Sequence, residues 1–453
     1  MLAAHELGCG PRRHPCTGWA SPASGALFVH EPEAPYYRPR QPERTLHYQL
    51  FERHFDRYLY AYEERFEPRS GPLRPEIQPA VEAFLACGRP EGGFARIRCE
   101  TCKAEHLLSF SCRTRNFCPS CQAKRAALFA EKLVEEILEK VPHRHYVFTI
   151  PKALRGLFER DRRLLGLLSR TGYDAILRCF RAVFGRKDVR PGVVVSIQTF
   201  GAFAANFHPH LHCIVTEGAF TTQGEFLPLE TLDTSAIEEL FRRLLLARLH
   251  RAERLSETFM RKLLAWSPSG FSLNATQVVM PDEPQRLECL ARYLTRAPIR
   301  IDSAEQDGQG QIHVSTPPHP ATGATEQVMD PLEWVHALTN QIPARGRHIV
   351  RYYGAYSCRL RGLRRKGEPA PQRPADESPD DGLSFSRARR ASWARLLRKL
   401  LEVDPLLCPR CGGLMQVVAF ITEQATIDRI LKHLASPDSK AFDPFQARPP
   451  PSH

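Results

Sequence analysis

The run Asn206-Phe207-His208-Pro209-His210-Leu211-His212-Cys213-Ile214-Val215 narrows most sharply what this chain can become. Side chains alternate across a β-strand, so His210 and His212 project together while Leu211, Cys213 and Val215 form a core-facing side. Two imidazoles on one face suit a divalent metal with coordination positions left open. A purely structural pair of histidines is the plainer alternative, and company elsewhere in the chain decides against it: a cysteine cluster upstream, tyrosines downstream and an excess of basic residues. A third ligand is not fixed by the pattern; His208 and Gln198 are the candidates on neighbouring backbone.

The chain has 453 residues, enough for two or three domains, and carries +13 from 63 Lys and Arg against 50 Asp and Glu. Such a balance favours a polyanionic partner, nucleic acid before membrane. No apolar run is long enough to span a bilayer, and residues 1–6 do not open a signal peptide, so a cytoplasmic location is expected. Fourteen cysteines in that compartment point to metal ligands and buried thiols.

Residues 1–45 read as a disordered tail, and 46–141 as a helical and zinc-binding unit with helices from His47 and over Pro79–Ala86. An amphipathic helix is expected over Ala126–Val141. The unit 142–365 holds strands at His145–Pro151, Val193–Phe200 and the histidine run, with helices over Leu154–Phe184, Ile237–Leu249 and Pro284–Arg296. Strands mixed with helices and a short strand-to-strand connection predict an α+β sheet covered by helices on one face. Residues 366–384 read as a linker, 385–436 as a basic helix with a Cys-x-x-Cys module, and 437–453 as a tail.

Cys99-x-x-Cys102 and Cys118-x-x-Cys121 have the spacing of a double-knuckle zinc site, with Cys112 and His106 between them as possible substitutes. Arg113, Arg115, Lys124 and Arg125 surround the cluster and are expected on phosphates. Cys408 and Cys411 form half a site that His433 is placed to complete, or that stays empty.

A histidine-bound metal needs a nucleophile. Tyr293 lies at the edge of the apolar stripe Leu287, Leu290, Ala291 and Leu294, between Arg292 and Arg296. A second cluster offers Tyr352 and Tyr356 as alternatives. Arg351, Tyr353, Arg359 and Arg361 read better as an aromatic and basic track for single-stranded nucleic acid.

His-hydrophobic-His resembles the signature of the HUH endonuclease superfamily. The ordered set of cysteine cluster, Pro142–Pro151, His208–His212, Tyr293–Arg296, Arg351–Gly354 and the Cys408 knuckle is similar to the rolling-circle transposases of insertion-sequence family ninety-one. The resemblance covers roughly Leu46 to Leu434. It implies a ferredoxin-like nuclease sheet, structural zinc, catalytic Mg²⁺ or Mn²⁺, and a tyrosine that leaves a 5′-phosphotyrosine and a free 3′-hydroxyl on single-stranded or hairpin DNA ends. Some members carry a second tyrosine four residues on; Ala297 stands there, so the chain looks like a single-tyrosine version. A plasmid-type replication initiator and a catalytically inactive nucleic-acid-binding protein are the alternatives. No Walker motif is present, so no nucleotide cofactor is expected. Membrane partners are not expected, and the implied location is the bacterial cytoplasm, at the nucleoid.

Overall fold

A computed structural model describes residues 42–201, 207–276, 278–298, 304–316, 323–366, 408 and 410–434. The tail before residue 42, the body of the linker, the basic helix expected near residue 391 and the C-terminal tail lie outside the described residues.

Helix α1 (Leu46–Arg65) starts where the Thr45 hydroxyl accepts a hydrogen bond from the Tyr48 amide at 3.2 Å, and it buries Leu50, Phe51, Phe55, Tyr58 and Tyr62. After α2 (Ile77–Leu85), strands β1 (Phe94–Cys99) and β2 (Glu105–Ser109) form a hairpin. Helix α3 (Pro119–Lys132) begins seven residues before the expected start, because Cys118 stands at its N-cap and Pro119 pre-sets its first turn. It runs on into a π turn over Leu133–Ile137.

The main sheet is built from β3 (His143–Thr149), then α4 (Lys152–Arg160) and α5 (Leu164–Phe184), then the pair β4 (Gly192–Phe200) and β5 (Phe207–Thr216). Helices α6 (Thr234–Arg251) and α7 (Glu257–Ala265) lead to β6 (Ser272–Ala275), and α8 (Pro284–Leu294) follows. Three short strands, β7 (Ala304–Gln306), β8 (Ile312–Ser315) and β9 (Glu326–Met329), precede α9 (Pro331–Thr339). Then come β10 (Val350–Gly354), α10 (Cys358–Lys366), β11 (Met415–Ile421) and α11 (Gln424–Leu434). The five-stranded sheet has the order β10-β4-β5-β3-β6, with antiparallel neighbours throughout.

Both faces of this sheet are covered, where one was expected. Phe148, Val193, Val195, Ile197, Leu211, Cys213 and Val215 pack on α5 and α6. The opposite face sets Val194 and Ile214 against Leu287, Ala291 and Leu294 of α8 and against Ala130 and Leu133. The second layer therefore comes largely from α8 and the helix that carries Cys118 and Cys121.

Two expected unit boundaries also change. Ala304, Ile312, Val314, Met329, Trp334, Val335 and Leu338 share one core with α1 and α2, so the stretch expected to belong to the unit 142–365 completes the N-terminal core. Strand β11 pairs antiparallel with β1, Cys99 opposite Met415, so the C-terminal module is part of the β11-β1-β2 sheet.

Two buried histidines tie the N-terminal core together. His47 is ringed by Phe51, Phe84 and Phe117, and His336 meets the Tyr58 hydroxyl at 3.1 Å and the Ser70 hydroxyl at 3.0 Å. Burial pushes His47 down to about 4 and His336 down to about 3. Both are neutral in the folded state, while the unfolded chain takes up protons near 6.5. Their contribution to stability is complete above about pH 6.5 and is lost as pH falls through the folded-state values, by up to about 3 kcal/mol for His47 and about 5 kcal/mol for His336. Chemical denaturation at pH 7.5 and pH 5 is expected to show His47→Leu losing less stability on acidification than the natural chain; an equal loss would remove His47 from the acid limb.

Candidate catalytic and metal centres

Pairing fixes the histidine site. In β5, His210 lies opposite Gln198 of β4 and Thr149 of β3, and His212 lies opposite Ser196 and Val147. His145, opposite Ile214, is the diagonal neighbour of His212 on the same face. His210 and His212 are 6% and 3% exposed, and their Nε2 atoms stand 2.9 Å apart. Two nitrogens at about 2.1 Å from one ion and at right angles to each other would be about 3.0 Å apart, so the pair has the bite of two cis ligands.

The proton positions follow from the network. His210 donates from Nδ1 to the His208 carbonyl oxygen at 2.7 Å, which leaves its Nε2 as a lone pair. His145 Nε2 lies 2.9 Å from His212 Nδ1; with His212 donating there, its Nε2 also faces inward as a lone pair. Two lone pairs at that separation repel unless a shared proton or a cation lies between them. Burial pushes His210 down to about 3 and His145 to about 4, with His212 held far below its usual range, so a shared proton is disfavoured and a divalent cation fits. Gln198 Oε1 is buried and unpartnered, and so is His208 Nε2.

Tyr293 stands over this cluster. Its ring is perpendicular to that of His212 at 5.1 Å and nearly perpendicular to that of His145 at 6.1 Å. Arg296 lies over the Tyr293 ring at 4.9 Å and the Phe200 ring at 5.3 Å. The end of α8 is held by side chains from below: Gln198 Nε2 donates to the Tyr293 and Leu294 carbonyls at 3.2 Å each, and Ser196 Oγ to the Leu294 carbonyl at 2.6 Å. Arg155 on α4 and Arg296 each keep a buried Nε without a partner, and no carboxylate pairs with either among the described residues. After burial, Arg155 adds to the depression of His208 and His210, as Arg296 does to that of His210 and His212. Two cations without counter-ions beside a metal-type site suit a phosphate.

His145 and Arg155 escaped the sequence reading. Neither has a local motif: the strand expected over His145–Pro151 runs from His143 to Thr149, and only its pairing with β5 sets His145 beside His212. The alternative tyrosines are placed elsewhere. Tyr356 is fully buried with its hydroxyl 2.7 Å from His143 Nε2, and Tyr352 packs beneath Arg361 at 4.9 Å.

The aromatic and basic track needs correction. Tyr353 is stacked on Tyr173 at 4.8 Å and its hydroxyl meets that of Ser169 at 2.9 Å, because alternation on the edge strand β10 sends it toward α5. Arg351 lies against Gly166, and Arg359 and Arg361 are on helix α10 rather than an extended strand. Arg361 is half-buried and donates to the Tyr356 carbonyl at 3.0 Å, whereas Arg359 is exposed. Arg115 spends its guanidinium on the Arg347 and Ala344 carbonyls, at 2.7 and 3.3 Å, and Arg292 pairs with Glu288 at 2.8 Å. Arg113 and Arg125 are exposed and Lys124 is half-buried.

The cysteines sort differently from the expected double knuckle. Cys99 and Cys102 join Cys408 and Cys411, with Cys99 to Cys411 and Cys102 to Cys408 both at 3.5 Å. Cys118 and Cys121 join Cys87 and Cys112, with sulfurs 3.6 to 3.8 Å apart. A tetrahedral zinc with Zn–S near 2.3 Å has S···S edges of about 3.8 Å, so both clusters fit structural zinc. The cause is topological. The β11–β1 pairing carries the C-terminal knuckle to Cys99, while Cys118 and Cys121 begin a helix that faces the end of α2. Cys112, weighed as a substitute, is a ligand candidate in its own right; His106 and His433 belong to neither cluster.

The full chain is expected to hold about two zinc ions, and Cys408→Ser or Cys112→Ser about one. Elemental analysis of the purified proteins measures this. One zinc in the natural chain, or two in either variant, would break the assignment.

Known proteins similar to this chain place a zinc-binding domain in its N-terminal part. The family model described as "Transposase zinc-binding domain" matches residues 50–150, and the one described as "Putative transposase" matches residues 192–363. The chain is 25% identical over 368 residues to the transposase for insertion sequence element IS801 of Pseudomonas savastanoi pv. phaseolicola, covering 78% of this chain and 86% of that protein. It is 28% identical over 333 residues to "Putative transposase y4qJ" of Sinorhizobium fredii, covering 68% and 80%. No solved structure matches it. No helix among the described residues is long and apolar enough to cross a membrane. With a zinc-binding and a transposase model matched in succession and two transposases aligned over most of its length, the chain is similar to the insertion-sequence transposases of the IS91/IS801 type.

Proposed function

We propose that this transposase nicks and rejoins single-stranded or hairpin DNA at element ends, with Tyr293 as nucleophile on an HUH-type sheet. The observation that carries the reading is the Tyr293 ring set against His212, whose Nε2 converges with that of His210 at 2.9 Å. The strand order β4-β5-β3-β6, joined as strand, helices, two strands, helices, strand, supports a ferredoxin-like nuclease core.

His210, His212 and Gln198 Oε1 would hold Mg²⁺ or Mn²⁺, which would supply Lewis-acid stabilisation of charge on the phosphate's non-bridging oxygens. Tyr293 Oη forms a bond to phosphorus as the bond to the 3′-oxygen breaks; the phenol gives up its proton and the leaving oxygen takes one up. The ester is conserved as a 5′-phosphotyrosine, and rejoining reverses the step without ATP. Arg155 and Arg296 orient the phosphate, and Arg296, above the Tyr293 ring, favours the phenolate that develops. His145 holds the His212 imidazole in the tautomer that presents Nε2.

Tyr293→Phe is expected to form no covalent adduct with a labelled single strand while binding it as before. Full adduct formation by this variant, with loss in Tyr352→Phe, would move the nucleophile to β10.

His210→Ala and His212→Ala are expected to slow nicking about 10²- to 10³-fold with the zinc content intact, and thorough chelation of Mg²⁺ and Mn²⁺ to stop the natural chain. Nicking at full rate in metal-free buffer would exclude the metal role.

A further inference from the structure

Gln122 sits where the zinc-binding part meets the tyrosine helix, and it is 1% exposed. It follows Cys121 directly and lies in the first turn of α3, its amide N–H donating to the Cys118 carbonyl at 2.9 Å. Its side chain faces two ways. Oε1 accepts from the Asn116 amide N–H at 2.9 Å, closing the loop that runs from Cys112 to Cys121. Nε2 donates to the Thr295 carbonyl at 2.6 Å, two residues past Tyr293. Thr295 is itself 4% exposed, so this bond is shielded from water.

The end of α8 is thus gripped from two sides. Ser196 and Gln198, from the sheet that carries the histidines, take the Tyr293 and Leu294 carbonyls. Gln122, from the cysteine-bound loop, takes the next one. Helix carbonyls at a C-terminus have no partner within the helix and need one when buried. The partners available here decide where the helix ends and at what height Tyr293 stands over His212. Arg115, in the same loop, adds a second tie to the segment that leads into β10.

We propose that the Cys87/Cys112/Cys118/Cys121 cluster sets the position of the Tyr293 hydroxyl through Gln122, which makes Gln122 a positioning residue for the transesterification. The zinc-binding part then serves the chemistry as well as folding and DNA contact. This rests on Tyr293 being the nucleophile. Tyr293 must reach phosphorus in line with the leaving oxygen, and a displacement of about 1 Å can cost about a hundredfold in rate.

The test uses the full chain with both zinc ions bound and a labelled single-stranded oligonucleotide carrying an element end. Gln122→Met keeps the length of the side chain and removes both hydrogen bonds. It is expected to retain two zinc ions and the natural DNA affinity, while the single-turnover rate of adduct formation at saturating DNA falls about 10- to 100-fold. The rate of rejoining from isolated adduct is expected to fall by the same factor, leaving the nicking equilibrium unmoved. Gln122→Asn, which keeps an amide but shortens its reach, is expected to lie between the two and repeats the comparison if the Met variant folds poorly. Unchanged rates in both variants would overturn the proposal, as would a fall that tracks lost zinc or lost DNA affinity. Adducts that persist in Tyr293→Phe would remove the nucleophile assignment itself; adducts lost in that variant alone, with Gln122→Met at full speed, would remove only this inference.

Discussion

The register of β5 between β4 and β3 is the constraint on which the rest of the molecule depends. A strand has period two, so a slip of one residue would send His210 and His212 into the Leu211 side of the sheet and bring Leu211 and Cys213 out beneath α8. The slip is prevented on both sides at once. Leu211, Cys213 and Val215 have a packed core waiting on α5 and α6, and Ile214 has one on α8. A central strand with both faces covered tolerates one register only. The site can therefore keep buried polar groups, including unpartnered atoms on Gln198 and His208, on an apolar scaffold that leaves them no other arrangement.

Much of this was legible in the residues. The β-branched run Val193–Phe200, the histidine strand, the stripe on α8 and Tyr293 at its edge each carry a local signal, and the structure brings them together. What stayed hidden depends on pairing at long range. Cys87 has no neighbouring cysteine, and Cys408 with Cys411 offers half a motif; only the β11–β1 pairing and the start of α3 sort eight thiols into two sets. Tyr353 has the sequence look of a base-stacking residue. Its neighbour on α5, Tyr173, lies 180 positions earlier in the chain and takes the ring first. His145 becomes part of the site only through a diagonal contact that strand assignment alone does not reveal.

The polar contacts are unevenly spread. On the surface, pairs such as Arg243 with Glu239 or Arg261 with Glu257 are exposed i,i+4 partners that contribute little to stability. Inside, a few neutral side chains, Ser196, Gln198 and Gln122, satisfy consecutive backbone carbonyls at the end of α8. Neutral donors suit that place, since they satisfy the carbonyls without taking a further charge out of water.

The β11–β1 pairing has a consequence for how the protein comes into being. During synthesis β1 and its first two cysteines leave the ribosome some three hundred residues ahead of Cys408 and Cys411, and the strands β7 to β9 that finish the N-terminal core also come late. The sheet that β1 begins is then completed only long after β1 itself is made. Until the final segment arrives, β1 has a free edge and two thiolates that lack their mates. Sheet and cysteine tetrahedron close in one event, once Cys408 and Cys411 have been made, so that a polypeptide broken off before them holds only half of this ligand set.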